Sequence, residues 1–307
     1  MIRLNPPGLE RLERACTLQV RIGGSESNTA IALTKLGRRA AWWSRLIKNP
    51  LGRRIEADIR SHGVDVSGVI WSNSGRVGVY FLEYGAPPRG HEVYYDRANS
   101  AASQIAPEDI DPNLLTRARH LHATGITAAL SPSCAETVIK ALEMAKQAGL
   151  TTSLDVNFRR KLWSPESARI TLERAMPNVD LLISPLRDSE EVFATKSSAR
   201  DTASELQQRY GLQRVVVTAG ADGAFAVDGD AALSASAVES GEVDRVGTGD
   251  AFDAGVIHGF LDDDLATGLR TGCSLAALKR TIPGDVLITS QAEIEATTGA
   301  AAHLIRR

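Results

Sequence analysis

A glycine-rich segment just before an apolar helical pattern is the first place where this sequence could do chemistry. Phe252, Val256 and Phe260 recur at a spacing of four, which predicts a helix that begins near Asp250, directly after Gly247-Thr248-Gly249. Glycines at a helix start let backbone amides converge, and the helix N-terminus adds partial positive charge, so the segment suits a phosphate. Asp250 could then accept a proton from an attacking hydroxyl. The alternative is an ordinary turn with Asp250 as helix cap.

A second glycine segment, Thr218-Ala219-Gly220-Ala221-Asp222-Gly223, follows the apolar run Val215-Val216-Val217. A strand that ends in such a loop could lay its backbone against nucleotide phosphates. The alternative is a plain hairpin turn between Val217 and Ala226. Neither glycine segment has the spacing of a P-loop or of a dinucleotide-binding fingerprint, which argues against a P-loop kinase and against a nicotinamide enzyme.

The other reactive side chains do not form a recognisable site. His120 and His122 share one face of a predicted strand, but two histidines alone do not make a zinc site. The cysteines Cys16, Cys134 and Cys273 are odd in number and far apart, which suits a reducing compartment. The net charge of −2, with no spanning apolar run and no signal-peptide pattern, predicts a cytoplasmic protein without nucleic-acid or membrane partners.

The elements that must position these residues alternate between strand and helix. Helical stripes occur at 25–37, 51–63 and 138–149, the first with Ser25 or Ser27 as its expected cap. Strand-like runs are found between and after the helices, at 40–43, 120–123, 152–156, 180–183 and 214–218. This order predicts a mostly parallel sheet with helices on both faces.

One stretch departs from the alternation. Residues 77–83 and 92–95 are both strand-like, and Pro87-Pro88 lies in the turn between them. A hairpin inserted here is expected to stand off the main sheet as a small lid. No low-complexity linker and no internal repeat divides the 307 residues, so the sequence predicts one α/β domain.

Over nearly its whole length the sequence resembles the ribokinase-like (PfkB) carbohydrate kinases, and among them it is most similar to 2-keto-3-deoxygluconate kinases. Residues 23–28, Gly-Gly-Ser-Glu-Ser-Asn, look like the family's N-terminal signature, and 247–250 look like its C-terminal signature. Tyr95-Asp96-Arg97, Thr124-Gly125-Ile126 and 155–163 look like the keto-deoxygluconate version. The resemblance implies a three-layer ribokinase-like α/β fold with a mostly parallel central sheet flanked by helices. It implies one domain, 1–307, in which roughly 1–24 and 76–98 form a small β-lid.

The resemblance also implies an activity and its residues. The chain would transfer the γ-phosphate of ATP to the primary hydroxyl of 2-keto-3-deoxygluconate, giving the 6-phosphate, with Mg²⁺ held mainly by phosphates and water and no direct protein ligand. Asp250 would be the base, assisted by Gly247 and Gly249. The sugar acid would contact Gly24, Asn28, Tyr80, Tyr95, Arg97, Arg159 and Asp285. The nucleotide would contact Ser184, Thr218, Gly220, Asp222, Gly223, Gly247, Thr248 and Gly249. A homo-oligomer is expected.

Arg97 and Arg159 favour an acid because a guanidinium fork matches a carboxylate, whereas a neutral sugar would leave buried cations unpaired. The alternatives are a neutral-sugar (fructose or ribose) or nucleoside kinase of the same family, and a catalytically weak sugar-acid-binding homologue. The last is motivated by a missing first strand before Ile2 and by Arg187, which stands where the family commonly has an acid that supports magnesium; Glu190 and Glu191 could substitute. The gluconate or galactonate form and a monovalent cation near Asp244 stay open.

Overall fold

The computed structural model describes residues 1–299. Its twelve strands are, in chain order, β1 (Ile2–Asn5), β2 (Gln19–Ile22), β3 (Ser44–Ile47), β4 (Val69–Ser72), β5 (Val79–Glu83), β6 (Glu92–Asp96), β7 (His120–Thr124), β8 (Thr151–Asp155), β9 (Leu181–Pro185), β10 (Arg214–Thr218), β11 (Ala224–Asp228) and β12 (Ala231–Ala235). The helices of the same residues are α1 (Ser25–Lys35), α2 (Pro50–Ser61), α3 (Pro112–Thr116), α4 (Gly125–Ala128), α5 (Pro132–Gln147), α6 (Pro165–Ala175), α7 (Leu186–Phe193), α8 (Ala199–Tyr210), α9 (Thr248–Leu261), α10 (Leu265–Arg280) and α11 (Gln291–Thr298).

The central sheet has six strands in the order β12-β11-β10-β9-β8-β7. Strands β7 to β10 are parallel to one another, and β11 and β12 each run antiparallel to the strand before. Successive residues of one strand enter different cores: Leu182 packs with α5, α6 and α8, whereas Leu181 and Ile183 pack with α9 and α10. Helices therefore cover both faces, which confirms the predicted mostly parallel sheet between two helical layers.

A separate four-stranded sheet has the order β2-β1-β5-β6. Strands β5 and β6 pair antiparallel, with Tyr80 opposite Tyr95, and neither belongs to the central sheet. The predicted hairpin outside the main sheet is thus confirmed. Strands β3 and β4 form a third, two-stranded parallel sheet.

Helices α9 and α10 pack unusually close together. A Cβ on Gly255 would overlap the backbone of Gly272, and a Cβ on Gly259 would overlap the backbone of Gly268. Only glycine permits this backbone approach, and it fixes α9 against α10 along much of its length. The N-terminal end of α9, where the first glycine segment lies, is positioned by this contact.

Three local predictions need correction. The strand expected at 40–43 is β3 at Ser44–Ile47; only Ala41 forms a bridge, with Asp65. Helix α1 has Gly24 as its N-cap residue without a side-chain cap, because the Ser25 hydroxyl bonds elsewhere and Ser27 donates to the carbonyl oxygen of Gly24. Helix α9 begins at Thr248, two residues before the expected start. No helix among residues 1–299 is long and apolar enough to cross a membrane.

Candidate active site

Asp250 lies in the first turn of α9 and is buried. One carboxylate oxygen accepts a hydrogen bond from the Ser25 hydroxyl at 2.6 Å, and the other accepts from the Asn28 amide at 2.7 Å. Both donors belong to the first turn of α1, next to Gly24. Gly247, in the left-handed conformation with φ of 84°, is the N-cap residue of α9. Asp250 is therefore not the helix cap, and the alternative of a plain capped turn is wrong.

Burial raises the pKa of Asp250 to about 6, although the hydrogen bonds from Ser25 and Asn28 and the charge of Arg159 favour its ionised form. Above that pH the group is a carboxylate. A carboxylate held by two donors at a helix start has the geometry and the charge of a general base.

The backbone around Gly247 forms the concave end of the site. A Cβ on Gly247 would overlap the carbonyl oxygen of Asp285, so glycine is required both by φ and by space. Gly249 has open space around its Cα. The hydroxyl of Thr248 is buried and has no hydrogen-bond partner within residues 1–299. Unused donors at a helix N-terminus suit an anion.

Two arginines, Arg97 and Arg159, lie near one another, and the charge of Arg159 also acts on Asp250. The guanidinium of Arg97 lies over the ring of Tyr95, 4.0 Å from its centroid, and its Nε and Nη2 have no partner in the described part of the chain. Burial, and then the neighbouring charge of Arg159, lowers the pKa of Arg97. Arg159 is exposed and follows β8. Arg97 is thus a buried cation with unused N–H groups, and such a group suits an anionic ligand.

A cavity of about 210 Å³ opens beside them, lined by Tyr95, Phe158, Arg159, Arg160, Lys161, Arg187, Asp188 and Glu191. An acid of this cavity follows directly after Arg187: the Asp188 carboxylate accepts from the backbone N–H of Phe158 at 2.8 Å. Burial raises the pKa of Asp188. Glu191 is paired with Arg187 and with Arg160, each at 2.9 Å, and Glu190 is exposed. Asp188 and Glu191 thus both line the cavity, but within residues 1–299 only Glu191 is paired with arginines.

Two more buried carboxyl groups, from Asp155 and Asp253, lie near Asp250. Burial raises the pKa of both, and the charge of Asp250 raises each further. The charge of Asp155 raises the pKa of Asp253 as well, which favours the protonated form of Asp253. The pair adds one negative charge close to Asp250 instead of two.

Asp285 and Tyr80, expected as substrate contacts, are bonded to each other. The Tyr80 hydroxyl lies 2.6 and 2.5 Å from the two carboxylate oxygens of Asp285, and the fully buried Arg3 donates to Asp285 at 2.8 Å. Arg3 also pairs with Asp244 at 2.7 Å. A substrate hydroxyl that binds Asp285 would have to share these partners, so its role as a sugar contact stays a prediction.

The loop expected to contact the nucleotide connects β10 to β11. Thr218 pairs with Ala224 across the hairpin, and Gly220 and Gly223 have φ of 60° and 90°. The segment is therefore a hairpin turn, as the alternative reading expected. Asp222 is exposed in this turn, so a hairpin does not prevent the loop from contacting a nucleotide. Ser184 at the end of β9 is completely buried, and its hydroxyl is 2.7 Å from that of Ser189. A nucleotide contact through Ser184 would need this bond to break.

Sequence reasoning missed Ser25, Asn157, Asp188 and the Asp155–Asp253 pair. The Asn157 amide donates to the Ser25 hydroxyl at 2.9 Å, which links the segment after β8 to Asp250, and Asn157 has a positive φ of 38°. Ser25, Asp155 and Asn157 lie inside the motifs that carry the family resemblance, so those motifs were the available signal. Asp188 had none, since the motif position pointed to Arg187.

The side chains that were not expected to form a site, His120, His122 and Cys134, lie in the packed interior. His120 and His122 both lie 2.8 Å from the Ser153 hydroxyl, and burial lowers the pKa of His120 to about 4 and that of His122 to about 3. Cys134 is fully buried. Within residues 1–299 no group of three or more histidine, cysteine or acidic side chains could hold a metal ion.

Comparisons with known proteins identify the family of this chain. Residues 1–292 match the pfkB family carbohydrate kinase. The chain is 40% identical, over 96% of its length and 93% of the relative's, to the 2-dehydro-3-deoxygalactonokinase of Haloferax volcanii. It is 31% identical to the 2-dehydro-3-deoxygluconokinase of Thermoproteus tenax, over 82% of this chain and 76% of the relative.

Among solved structures, the chain is similar to the 2-dehydro-3-deoxygluconokinase of Thermotoga maritima, with a TM-score of 0.92 and 32% identity over 98% of this chain and 96% of the other. The predicted ribokinase-like fold is confirmed by this likeness. The chain belongs to the pfkB family of carbohydrate kinases and is an ATP-dependent sugar kinase.

Proposed function

We propose that this kinase phosphorylates the primary hydroxyl of a 2-keto-3-deoxy sugar acid, in its gluconate or its C4-epimeric galactonate form. The observation that carries the proposal is the buried Arg97, whose Nε and Nη2 have no partner in residues 1–299, together with Arg159, whose charge acts on both Arg97 and Asp250. A buried guanidinium with unused N–H groups is costly unless a ligand satisfies it, and a planar carboxylate fits its donors. The names of the two relatives above support the same class of substrate.

The reaction needs few protein groups. Asp250 takes the proton of the primary hydroxyl as that oxygen forms a bond to the γ-phosphorus of ATP, and the bond from phosphorus to the β–γ bridging oxygen breaks to release ADP. The backbone amides at 247–250 hold the negative charge of the group in transfer. Arg97 and Arg159 hold the carboxylate at the opposite end of the sugar acid, which directs the far hydroxyl towards Asp250.

Mg²⁺ fits this site as an ion bound mainly by phosphates and water. Asp188 is the residue that would hold it, through water, because one side of its carboxylate is bonded to Phe158 and the rest faces the cavity. Bound there, the ion would neutralise triphosphate charge. Asp188 offers the acid that Arg187 does not, which supports an active enzyme over a catalytically weak homologue.

The test is an ADP-release assay on the purified chain with five acceptors: 2-keto-3-deoxygluconate, 2-keto-3-deoxygalactonate, ribose, fructose and adenosine. We expect kcat/KM for at least one sugar acid to exceed that for every neutral acceptor at least a hundredfold. Comparable or better turnover of a neutral acceptor would refute the acid substrate, and sugar-acid binding without ADP release would indicate a binding protein.

A variant arm assigns the recognition. Arg159→Leu should raise KM for the sugar acid about ten- to 150-fold, the loss of one charged hydrogen bond of about 1.5–3 kcal/mol, and leave KM for ATP near wild type. Arg174→Leu, which removes a surface arginine paired with Glu136, is the control. Loss of ATP affinity with unchanged sugar-acid affinity would place Arg159 on the phosphate side.

A further inference from the structure

Lys279 is a buried cation that the reaction described above does not use. It lies near the end of α10, with no exposed surface. Its ammonium donates to the carbonyl oxygen of Asp244 at 3.0 Å and to that of Ile282 at 3.3 Å. No carboxylate oxygen lies within 4 Å of it in the described chain. Burying a lysine that is bonded only to backbone carbonyls is costly, so the position calls for a physical reason.

The two carbonyls belong to the two loops that form the phosphate-binding end of the site. One loop runs from Asp244 to Gly247, the N-cap residue of α9, and the other runs from Ile282 to Asp285. The loops touch where Gly247 packs on the carbonyl oxygen of Asp285, and the Asp244 carboxylate accepts from the N–H of Gly284 at 2.8 Å. Lys279 lies between them and bonds to both, so its ammonium fixes the spacing of the loops.

The charges around Lys279 also indicate that its ammonium supports these two loops. The Asp244 carboxylate already binds Arg3, Tyr84 and the backbone N–H groups of Val246 and Gly284. Asp285 is bonded to Arg3 and Tyr80. Arg3 and Lys279 together balance the two carboxylates. Without Lys279 one negative charge would remain uncompensated next to the place where a phosphoryl group must bind, and it would repel that group.

We propose that Lys279 is a positioning residue for phosphoryl transfer, whose ammonium joins the loops at 244–247 and 282–285 and supplies there the charge of a built-in monovalent cation. Carbonyl oxygens are also the groups with which proteins hold potassium. The kinase therefore needs no added potassium, and removal of the side chain leaves a space, lined by carbonyl oxygens, for a small cation. The inference rests on the proposed role of residues 247–250 as the phosphate site.

The first measurement uses the wild-type enzyme with whichever sugar it phosphorylates best, in buffers that contain choline, sodium or potassium chloride at equal ionic strength. We expect kcat to vary less than twofold among the three. A stimulation by potassium of fivefold or more would overturn the proposal without any variant. Failure of the proposed function would show differently, as a preference of the wild type for neutral sugars, and leaves this comparison valid.

The second measurement uses Lys279→Ala and Lys279→Met, with Lys140→Ala on the surface of α5 as control. Because a misplacement of reacting groups by about 1 Å can cost on the order of 100-fold, we expect kcat to fall roughly ten- to 100-fold in both variants, while KM for the sugar stays within threefold. Added ammonium or potassium should restore kcat at least fivefold in Lys279→Ala and leave Lys279→Met, whose side chain fills the space, unchanged. A folded variant with kcat within threefold of wild type, or equal responses of both variants to the ions, would contradict the proposal.

Discussion

In the proposed reaction, turnover depends most directly on Asp250, which places a buried carboxylate at the start of α9. Asp250→Asn keeps the size of the side chain but replaces one of its two acceptor oxygens with an NH2 group, so it removes the proton acceptor. We expect kcat to fall about 10²- to 10⁴-fold, the usual worth of a general base, with little change in ATP affinity. Steady-state kinetics and calorimetric titration with ATP measure the two effects.

The matched control for this variant is Asp230→Asn, an exposed carboxylate between β11 and β12. It should behave as wild type in both measurements. If Asp250→Asn kept activity within threefold of wild type, the base would have to be another group, with the Asp155–Asp253 pair the nearest candidate.

The pH dependence of kcat/KM follows from the same carboxylate. Its pKa is raised to about 6, and only the ionised form accepts a proton, so activity should be lost as pH falls through about 6. Ser25→Ala removes a donor that favours the ionised form. The acid limb of the profile should then move up by about one to two pH units, since a hydrogen bond to a charged group contributes about 1.5–3 kcal/mol.

Ser27→Ala serves as the comparison, because the Ser27 hydroxyl donates to the carbonyl oxygen of Gly24 and not to Asp250. Its pH profile should overlay that of the wild type. Identical acid limbs for Ser25→Ala and the wild type would mean that the ionisation seen in the profile belongs to another group.

At the scale of single residues, the sequence singled out Asp250, Asn28 and Arg159 because each stands in a motif that resembles a known family, and the structure brings these three close together. It could not show that Ser25 would turn away from its own helix end to bond Asp250, since that depends on where α9 packs against α1. Asp188 was missed for a related reason: which residue of the first turn of α7 faces the cavity is set by the rotation of that helix, not by spacing in the chain.

At the scale of elements, α9 depends on the glycine that precedes it. Gly247→Ala would place a Cβ at positive φ and against the carbonyl oxygen of Asp285, so we expect it to lower the free energy of unfolding by about 2–4 kcal/mol and to abolish turnover. Urea denaturation monitored by circular dichroism gives the stability.

Gly249→Ala tests whether the effect is specific to that position. Gly249 lies within α9, and apart from its own helix backbone and chain neighbours no atom lies within 4 Å of the place that an alanine methyl would take. Alanine there should therefore leave stability unchanged or raise it slightly. Equal losses of stability for both variants would mean that the glycines serve the helix start in general and not the contact with Asp285.

Elements with a clear period were predictable from the sequence: the stripe at 138–149 corresponds to α5, and the alternating segments at 77–83 and 92–95 correspond to β5 and β6. The strand predicted at 40–43 is wrong because the apolar residues there do not pair with a neighbouring strand. The Trp42 N–H donates to the Asp65 carbonyl oxygen, and regular strand pairing begins only at Ser44. Apolar content alone does not distinguish a strand from an irregular segment that leads into a strand.

On the scale of the whole molecule, Arg3 connects the four-stranded sheet to the loops at 244–247 and 282–285 through Asp244 and Asp285. Arg3→Met removes the cation and leaves two buried carboxylates, so we expect a loss of about 3–5 kcal/mol in the free energy of unfolding. Arg76→Met, which breaks only an exposed pair with Asp96, should leave stability near that of the wild type. A similar midpoint of urea unfolding for Arg3→Met and the wild type would refute this role.

The bond between Arg3 and Asp285 joins residues 282 positions apart. A ribosome that adds about 5–20 residues per second needs roughly 15 to 55 seconds to make the second partner after the first. Until then Arg3 has no carboxylate from that loop, Gly247 has no wall to pack against, and the turn before α9 is unsupported. A nascent chain therefore completes the proposed phosphate site only as its translation nears completion, and a chain arrested before Asp285 is made should accumulate as an inactive protein.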